Sequence, residues 1–261
     1  MIDVSAYLGH FAYRQLRHNT GAGLVQYMDR FGIQRAVVSS AAAITYRNPQ
    51  AGNEEVAAEV AAHRSRLIPF AVLSPAYAGW QDDLKICHEE FGMKGLRLYP
   101  KWHNYTLADP RCRALVDAAV ERSMVISIPV RVEDPRQQGW LIDIPDLNLD
   151  EVARLIRACP KARFIVANGS GIVNSALGRG AKGLPGNYAV DISRLSVEFG
   201  NELGQLISIL GEDRVLFGTG MPFQYPGPAL AKLDMLEASA AVKEKIRSQN
   251  ALRWLGLPAG Q

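Results

Sequence analysis

The sequence predicts a (β/α)8 barrel, and three observations carry that prediction. Eight short apolar runs recur along the chain at Met1–Val4, Ala36–Ser39, Leu67–Leu73, Gly95–Leu98, Met124–Val130, Arg163–Ala167, Tyr188–Ile192 and Val215–Gly218. Their starts lie 35, 31, 28, 29, 39, 25 and 27 residues apart, and each interval holds one strand, one crossover helix and two loops. The length of 261 residues is that of one such barrel.

The runs are apolar on both faces, as strands of a parallel sheet covered by helices must be. The helices between them read from their stripes. Leu84, Cys87 and Phe91 form one, and Cys112, Leu115, Val116, Ala119 and Val120 another. Val152, Leu155, Ile156 and Cys159 form a third, with Asn148 as its cap, Glu151 three residues on, and Pro160 as its stop. The Gly/Pro-rich stretch Gly178–Gly186 reads as a long loop after strand six. An open doubly wound sheet is the competing architecture. It asks for a glycine-rich phosphate turn after strand one, where Val4-Ser5-Ala6-Tyr7 stands instead. With no linker or composition break, the whole of 1–261 reads as one domain.

Composition excludes several classes. Hydrophobic residues make up 48% and charged residues 21%, which excludes a disordered chain. No uncharged apolar run is long enough to span a bilayer, and the N-terminus has no basic-then-apolar signal. The balance of 29 basic and 26 acidic residues gives a net charge of +3, too small to point to nucleic acid. Cys87, Cys112 and Cys159 lie on apolar helical stripes with no CxxC, so buried thiols in a cytoplasmic, reducing setting are expected. The Pro/aromatic loop Met221–Pro228 is consistent with self-association.

Barrel chemistry sits at the strand C-termini. Those positions hold Ser5 and Tyr7 after strand one, and Ser39 and Ser40 after strand two. Arg97, Tyr99, Lys101, Trp102 and His103 follow from strand four, and Arg131, Glu133, Asp134 and Arg136 from strand five. Asn168 and Ser170, then Asp191, then Thr219, Met221 and Gln224 come from strands six to eight.

Several segments resemble the amidohydrolase-related family of metal-dependent hydrolases. Ile2-Asp3-Val4 is similar to its strand one, which continues as H-x-H. Gly32–Val38 and Gly92–Pro100 resemble its second and fourth strand entries. Pro160–Gly169 is similar to the sixth, which normally ends in histidine-glycine, and Arg214–Phe223 to the eighth, normally G-T-D-x-P. Asn250–Leu257 resembles its closing helix. The resemblance implies an amidohydrolase-like barrel with divalent metal held by histidines of strands one, five and six and an aspartate after strand eight. The matching positions here are Ser5, Tyr7, Asn168 and Gly220, and Ile126–Val130 contains no histidine. These are poor ligands for zinc, so no metal cofactor is expected. The five histidines include no H-x-H or H-x₃-H pair. His63 and His88 read as structural or solvated, whereas His10, His18 and His103 fall near the mouth.

What remains at the mouth is polar and arginine-rich. Guanidinium forks suit carboxylates. Arg97 and Arg131 are therefore catalytic candidates for stabilising an oxyanion, with Asp191 as general base. Ion pairing of Arg131 with Glu133 or Asp134, or of Arg136 with a neighbour, and capping by Asp191 of a helix starting near Ser193, are the structural alternatives. Ser5, Tyr7, Tyr99, His103, Asn168 and Gln224 are the substrate-binding candidates, and Trp102 and Trp140 form either an apolar wall or loop anchors. Three functions stay open. The first is a hydrolase of lactonase or decarboxylase type that acts on a small carboxylated substrate without the family's metal. The second is a pseudo-enzyme that binds a small anion. The third is a hydrolase with divalent metal on an unorthodox ligand set.

Overall fold

The structure, a computed structural model, describes residues 1–197 and 200–258. Eight parallel strands pair in chain order: β1 (Ile2–Leu8), β2 (Arg35–Ser40), β3 (Leu67–Val72), β4 (Gly95–Arg97), β5 (Val125–Pro129), β6 (Phe164–Ala167), β7 (Tyr188–Asp191) and β8 (Val215–Leu216). Val4 N–H donates to the Phe217 carbonyl at 3.0 Å and Tyr7 N–H to the Met221 carbonyl at 2.8 Å, which joins β1 to the chain after β8. The fold is the expected (β/α)8 barrel.

Strand one runs farther than its apolar start suggests, so Ser5 and Tyr7 lie inside β1 and not in the loop after it. A register shift between Asp3 and Ala6 makes a bulge there. Asp3 stabilises the bulge: its carboxylate accepts from Ser5 N–H at 2.9 Å and from Thr219 N–H at 3.1 Å.

The helices are α1 (Gly21–Asp29), α2 (Gln50–Val60), α3 (Trp80–Glu89), α4 (Pro110–Glu121), α5 (Leu149–Ala158), α6 (Glu202–Leu210), α7 (Gly227–Met235), α8 (Ala240–Glu244) and α9 (Asn250–Leu255). Three of them, α3, α4 and α5, form on the stripes that the sequence shows. The Asn148 side chain accepts from Asp150 N–H at 2.8 Å and caps α5. Asp109 caps α4, with Pro110 in its first turn. Between β6 and β7 the described residues form only short 3₁₀ turns, at Ile172–Asn174 and Ala181–Gly183. The three cysteines are free and buried, and burial pushes the Cys87 and Cys112 thiols up to about 12.

The barrel interior is stacked in three levels. Val4, Val37, Phe70, Val125, Ile165 and Leu216 fill one end, closed by Ala251, Trp254 and Leu255 from α9. Gly95 makes room for Phe70, since a Cβ there would lie 2.3 Å from the Phe70 ring. The middle level is polar. A third, apolar level closes the other end with Tyr7, Phe11, Ile44, Tyr99, Val132 and Phe223.

Candidate active site

The polar level is built by the C-terminal halves of the strands. Ser5, Ser39, Arg97, Ser127 and Asp191 have no exposure, and Asn168 is nearly as buried. Gly218 leaves the space that two of these side chains use. A Cβ there would lie 2.6 Å from Asp191 Oδ2 and 2.7 Å from Ser5 Oγ.

Arg97 faces into the barrel and spends its two Nη groups on the barrel itself, while its Nε is buried without a partner. Nη1 donates to the Ala6 carbonyl at 2.7 Å and to Ser39 Oγ at 2.8 Å, and Nη2 donates to the Val4 carbonyl at 3.0 Å. The guanidinium carbon sits 4.8 Å from the centre of the Tyr7 ring. This fixed cation bridges both sides of the β1 bulge. Among the described residues no carboxylate forms an ion pair with it.

Asp191 is held asymmetrically. Oδ1 accepts from the Ser193 hydroxyl at 2.7 Å, from Asn168 N–H at 3.1 Å and from Ser193 N–H at 3.2 Å. Oδ2 is buried without a well-formed hydrogen bond and lies beside the Ser5 hydroxyl. Burial raises its carboxyl above the ordinary range, and the hydrogen bonds from Ser193 and Ser5 oppose that rise. Asp191 caps no helix. The next helix is α6, capped by Asn201, because Ser193 turns back onto the Asp191 carboxylate.

Asn168 links this carboxylate to β1. It adopts φ 52, a left-handed conformation that asparagine tolerates. Its Nδ2 donates to the Tyr7 hydroxyl at 3.1 Å, and its Oδ1 accepts from Gln224 Nε2 at 3.4 Å and shares with Asp191 the one proton of the Ser193 hydroxyl, 2.9 Å away. Gly220 (φ 74) leaves room for that amide, since a Cβ would lie 2.4 Å from Gln224 Nε2. Burial holds the Tyr7 and Tyr99 phenols above their ordinary range. The Tyr99 hydroxyl sits among Ser39, Tyr7 and Arg97 without completing a well-formed hydrogen bond.

Ser5, Tyr7, Tyr99, Arg97, Asn168, Asp191 and Gln224 are thus brought together. Arg131 and His103 are not. The fork of Arg131 is bidentate on Asp146, fifteen residues on, and neither Glu133 nor Asp134 takes it. With Leu147 N–H on the Val130 carbonyl at 2.9 Å, this pair ties the neck of loop 131–146. One ring nitrogen of His103 pairs with the Ala43 carbonyl at 3.0 Å, and burial lowers its pKa. Trp102 packs edge-on against Phe11, with ring centres 5.8 Å apart. Trp140 is 91% exposed and forms neither wall nor anchor.

Sequence reasoning missed Ser193, the second hydroxyl on Asp191, although it stands two residues past β7. It also missed Arg14. That residue donates to the Phe223 carbonyl at 2.8 Å and to Gln137 Oε1 at 3.1 Å, and pairs with Glu133 at 3.3 Å, so it pins three loops over the mouth. The cleft beside this cover, lined by Tyr99, Lys101, Trp102, Arg131, Gln138 and Asp146, holds room for about two waters.

The positions that the resemblance assigns to metal ligands fail to fit a divalent ion. The Ser5 hydroxyl accepts from Gly220 N–H at 3.2 Å, the Tyr7 hydroxyl accepts from Asn168, and Gly220 has no side chain. These donors are neutral, and the Arg97 cation lies against them. Among the described residues no three His, Cys, Asp or Glu side chains are grouped as a metal site.

A family model described as amidohydrolase matches residues 13–257, a span that begins after β1. The solved 5-carboxyvanillate decarboxylase of Sphingomonas paucimobilis is 15% identical, covers 99% of both chains and superposes with a TM-score of 0.75. The 2,6-dihydroxybenzoate decarboxylase of Rhizobium is 18% identical over 98% of both chains, with a TM-score of 0.72. A dihydroxybenzoic acid decarboxylase of a Polaromonas species, solved with manganese and 2-nitroresorcinol, is 18% identical, covers 99% of this chain and 97% of its own, and has a TM-score of 0.70. The chain belongs to the amidohydrolase family.

Proposed function

We propose that the chain is an enzyme acting on a small carboxylated substrate, of decarboxylase or lactonase type, with Asp191 as its acid–base group and no resident divalent metal. One observation carries the reading. Asp191 has Oδ1 held by Ser193 and by Asn168 N–H, with Oδ2 outside that network beside the Ser5 hydroxyl. A carboxyl held in one orientation through one oxygen, with the other turned to a hydroxyl, is fitted to pass a proton. In a decarboxylation, Asp191 gives that proton to the carbon that carries the carboxylate. The carbon–carbon bond breaks, carbon dioxide leaves, and Asp191 regains a proton from water. In opening a lactone, the ionised form takes a proton from water as its oxygen bonds to the carbonyl carbon, and returns that proton to the ring oxygen as the ring carbon–oxygen bond breaks. Ser193 and Asn168 orient the carboxyl, Tyr7 and Gln224 anchor Asn168, and Arg97 holds the bulged strand that carries Ser5 and Tyr7. The decarboxylases of similar fold favour the first reaction. Among the described residues no helix is long and apolar enough to cross a membrane, and three free thiols favour a reducing compartment such as the cytoplasm. Tyr225, 77% exposed, favours self-association.

A second reading, a pseudo-enzyme that binds a small anion, is favoured by the apolar cover of Tyr7, Phe11 and Phe223, which shuts Asp191 from solvent. Turnover separates the two. Wild type and Asp191→Asn are tested on hydroxybenzoates and lactones. Turnover by wild type that Asp191→Asn loses supports the enzyme. A thermal shift with ligand in both, and turnover in neither, supports the binder.

A further inference from the structure

Arg194 stands three residues past β7, its side chain only 11% exposed. Its Nη1 pairs with Asp134 at 3.1 Å. Its Nε and Nη2 are fully buried and have no hydrogen-bond partner. Leaving that edge unpaired is costly, because a desolvated guanidinium nitrogen without an acceptor loses its water and gains nothing. Nε and Nη2 together are the edge of the guanidinium that receives both oxygens of one carboxylate. Burial has already lowered the pKa of Arg194, although Asp134 opposes that change. The charges of Asp191 and Arg131 also reach it. Asp134 belongs to loop 131–146, which Arg14, Arg131 and Arg194 all strap through its acids.

We propose that the Nε–Nη2 edge of Arg194 is the receptor for the substrate carboxylate, and that Asp134 holds the guanidinium in place on its other nitrogen until loop 131–146 lifts. The inference rests on the proposed action on carboxylated substrates, and adds the residue that would select them. It assigns Arg194 the part that the sequence suggested for Arg131. Both arginines follow strand ends, but Arg131 has its fork filled by Asp146, whereas the equivalent edge of Arg194 is open.

Benzoate and its neutral counterpart benzamide are the probes, titrated calorimetrically into the full chain as wild type, Arg194→Gln, Asp134→Asn and Asp191→Asn. The expected result is preference for benzoate in wild type, a loss of about tenfold or more in Arg194→Gln with benzamide unaffected, and tighter benzoate binding in Asp134→Asn as the pair that holds loop 131–146 down is removed. Equal benzoate affinity in wild type and Arg194→Gln overturns the proposal, as does absence of benzoate binding in both wild type and Asp134→Asn. If Arg194→Gln does not fold, Asp134→Asn decides alone: tighter binding supports the assignment and unchanged affinity overturns it. Asp191→Asn keeps the two readings apart. Turnover lost with benzoate binding intact bears on Asp191, whereas binding indifferent to Arg194 with turnover intact bears only on Arg194.

Discussion

The amide of Asn168 donates to the Tyr7 hydroxyl at 3.1 Å, across the barrel from β6 to β1. The Ser193 hydroxyl lies between that side chain and Asp191, 2.9 Å from Asn168 Oδ1 and 2.7 Å from Asp191 Oδ1, and shares its one proton between them. A neutral chain of hydrogen bonds therefore runs from β1 to the β7 carboxylate through the positions where the family resemblance placed metal ligands.

Tyr7→Phe tests the first link. The change keeps the ring over Arg97 but leaves the buried Asn168 amide without its acceptor. Such an orphan costs about 1–3 kcal/mol, so urea unfolding should show a loss of that size. If Tyr7 merely fills space, stability will not change.

Arg97 is predicted to be structural first. Arg97→Met leaves two β1 carbonyls and Ser39 without their donor, and should cost about 3 kcal/mol or more, a large share of a usual folding free energy. Arg97→Lys keeps the charge without the fork and should recover only part of that loss. Unfolding curves read both. Full stability with turnover abolished would return Arg97 to an oxyanion role.

Asp3 gives a pH signature. Burial raises its carboxyl to about 6 from the ordinary 3.8, despite the hydrogen bonds from Thr219 and Ser5. The folded chain therefore holds this proton more tightly than the unfolded one. The stabilisation is complete below pH 3.8 and is lost as pH rises through about 6. The shift corresponds to about 3 kcal/mol. Relative to Asp3→Asn, wild-type stability should fall between pH 4 and 6 and then level off. A difference independent of pH would contradict the assignment. Asp191 is shifted in the same direction, so its substitution should flatten the profile further.

Much of the fold was legible because it rests on local pattern. The eight strands are buried apolar runs, and α3, α4 and α5 sit on the stripes of Leu84, Cys112 and Val152. The site was legible only as a set of strand ends. Which donor meets which acceptor depends on contacts distant in sequence. The Arg97 fork finds its carbonyls more than ninety residues away, on a bulge that no motif in β1 announces. Arg131 finds Asp146 because its loop folds back on its own neck, so nearby Glu133 is left to Arg14, and Asp134 to Arg136 and Arg194. The turn after β7 stayed hidden because Ser193 reads equally well as a helix start, and only the packed structure sets its hydroxyl on Asp191.

Asp191, and not a divalent ion, is the proposed reaction centre. The most direct measurement of that role is turnover of hydroxybenzoate and lactone substrates by chelated wild-type protein, with metal content read by mass spectrometry on the same sample. Turnover is expected to persist in metal-free protein, not to rise when manganese or zinc is added back, and to be lost in Asp191→Asn. Turnover that disappears on chelation and returns in proportion to bound metal would contradict that role.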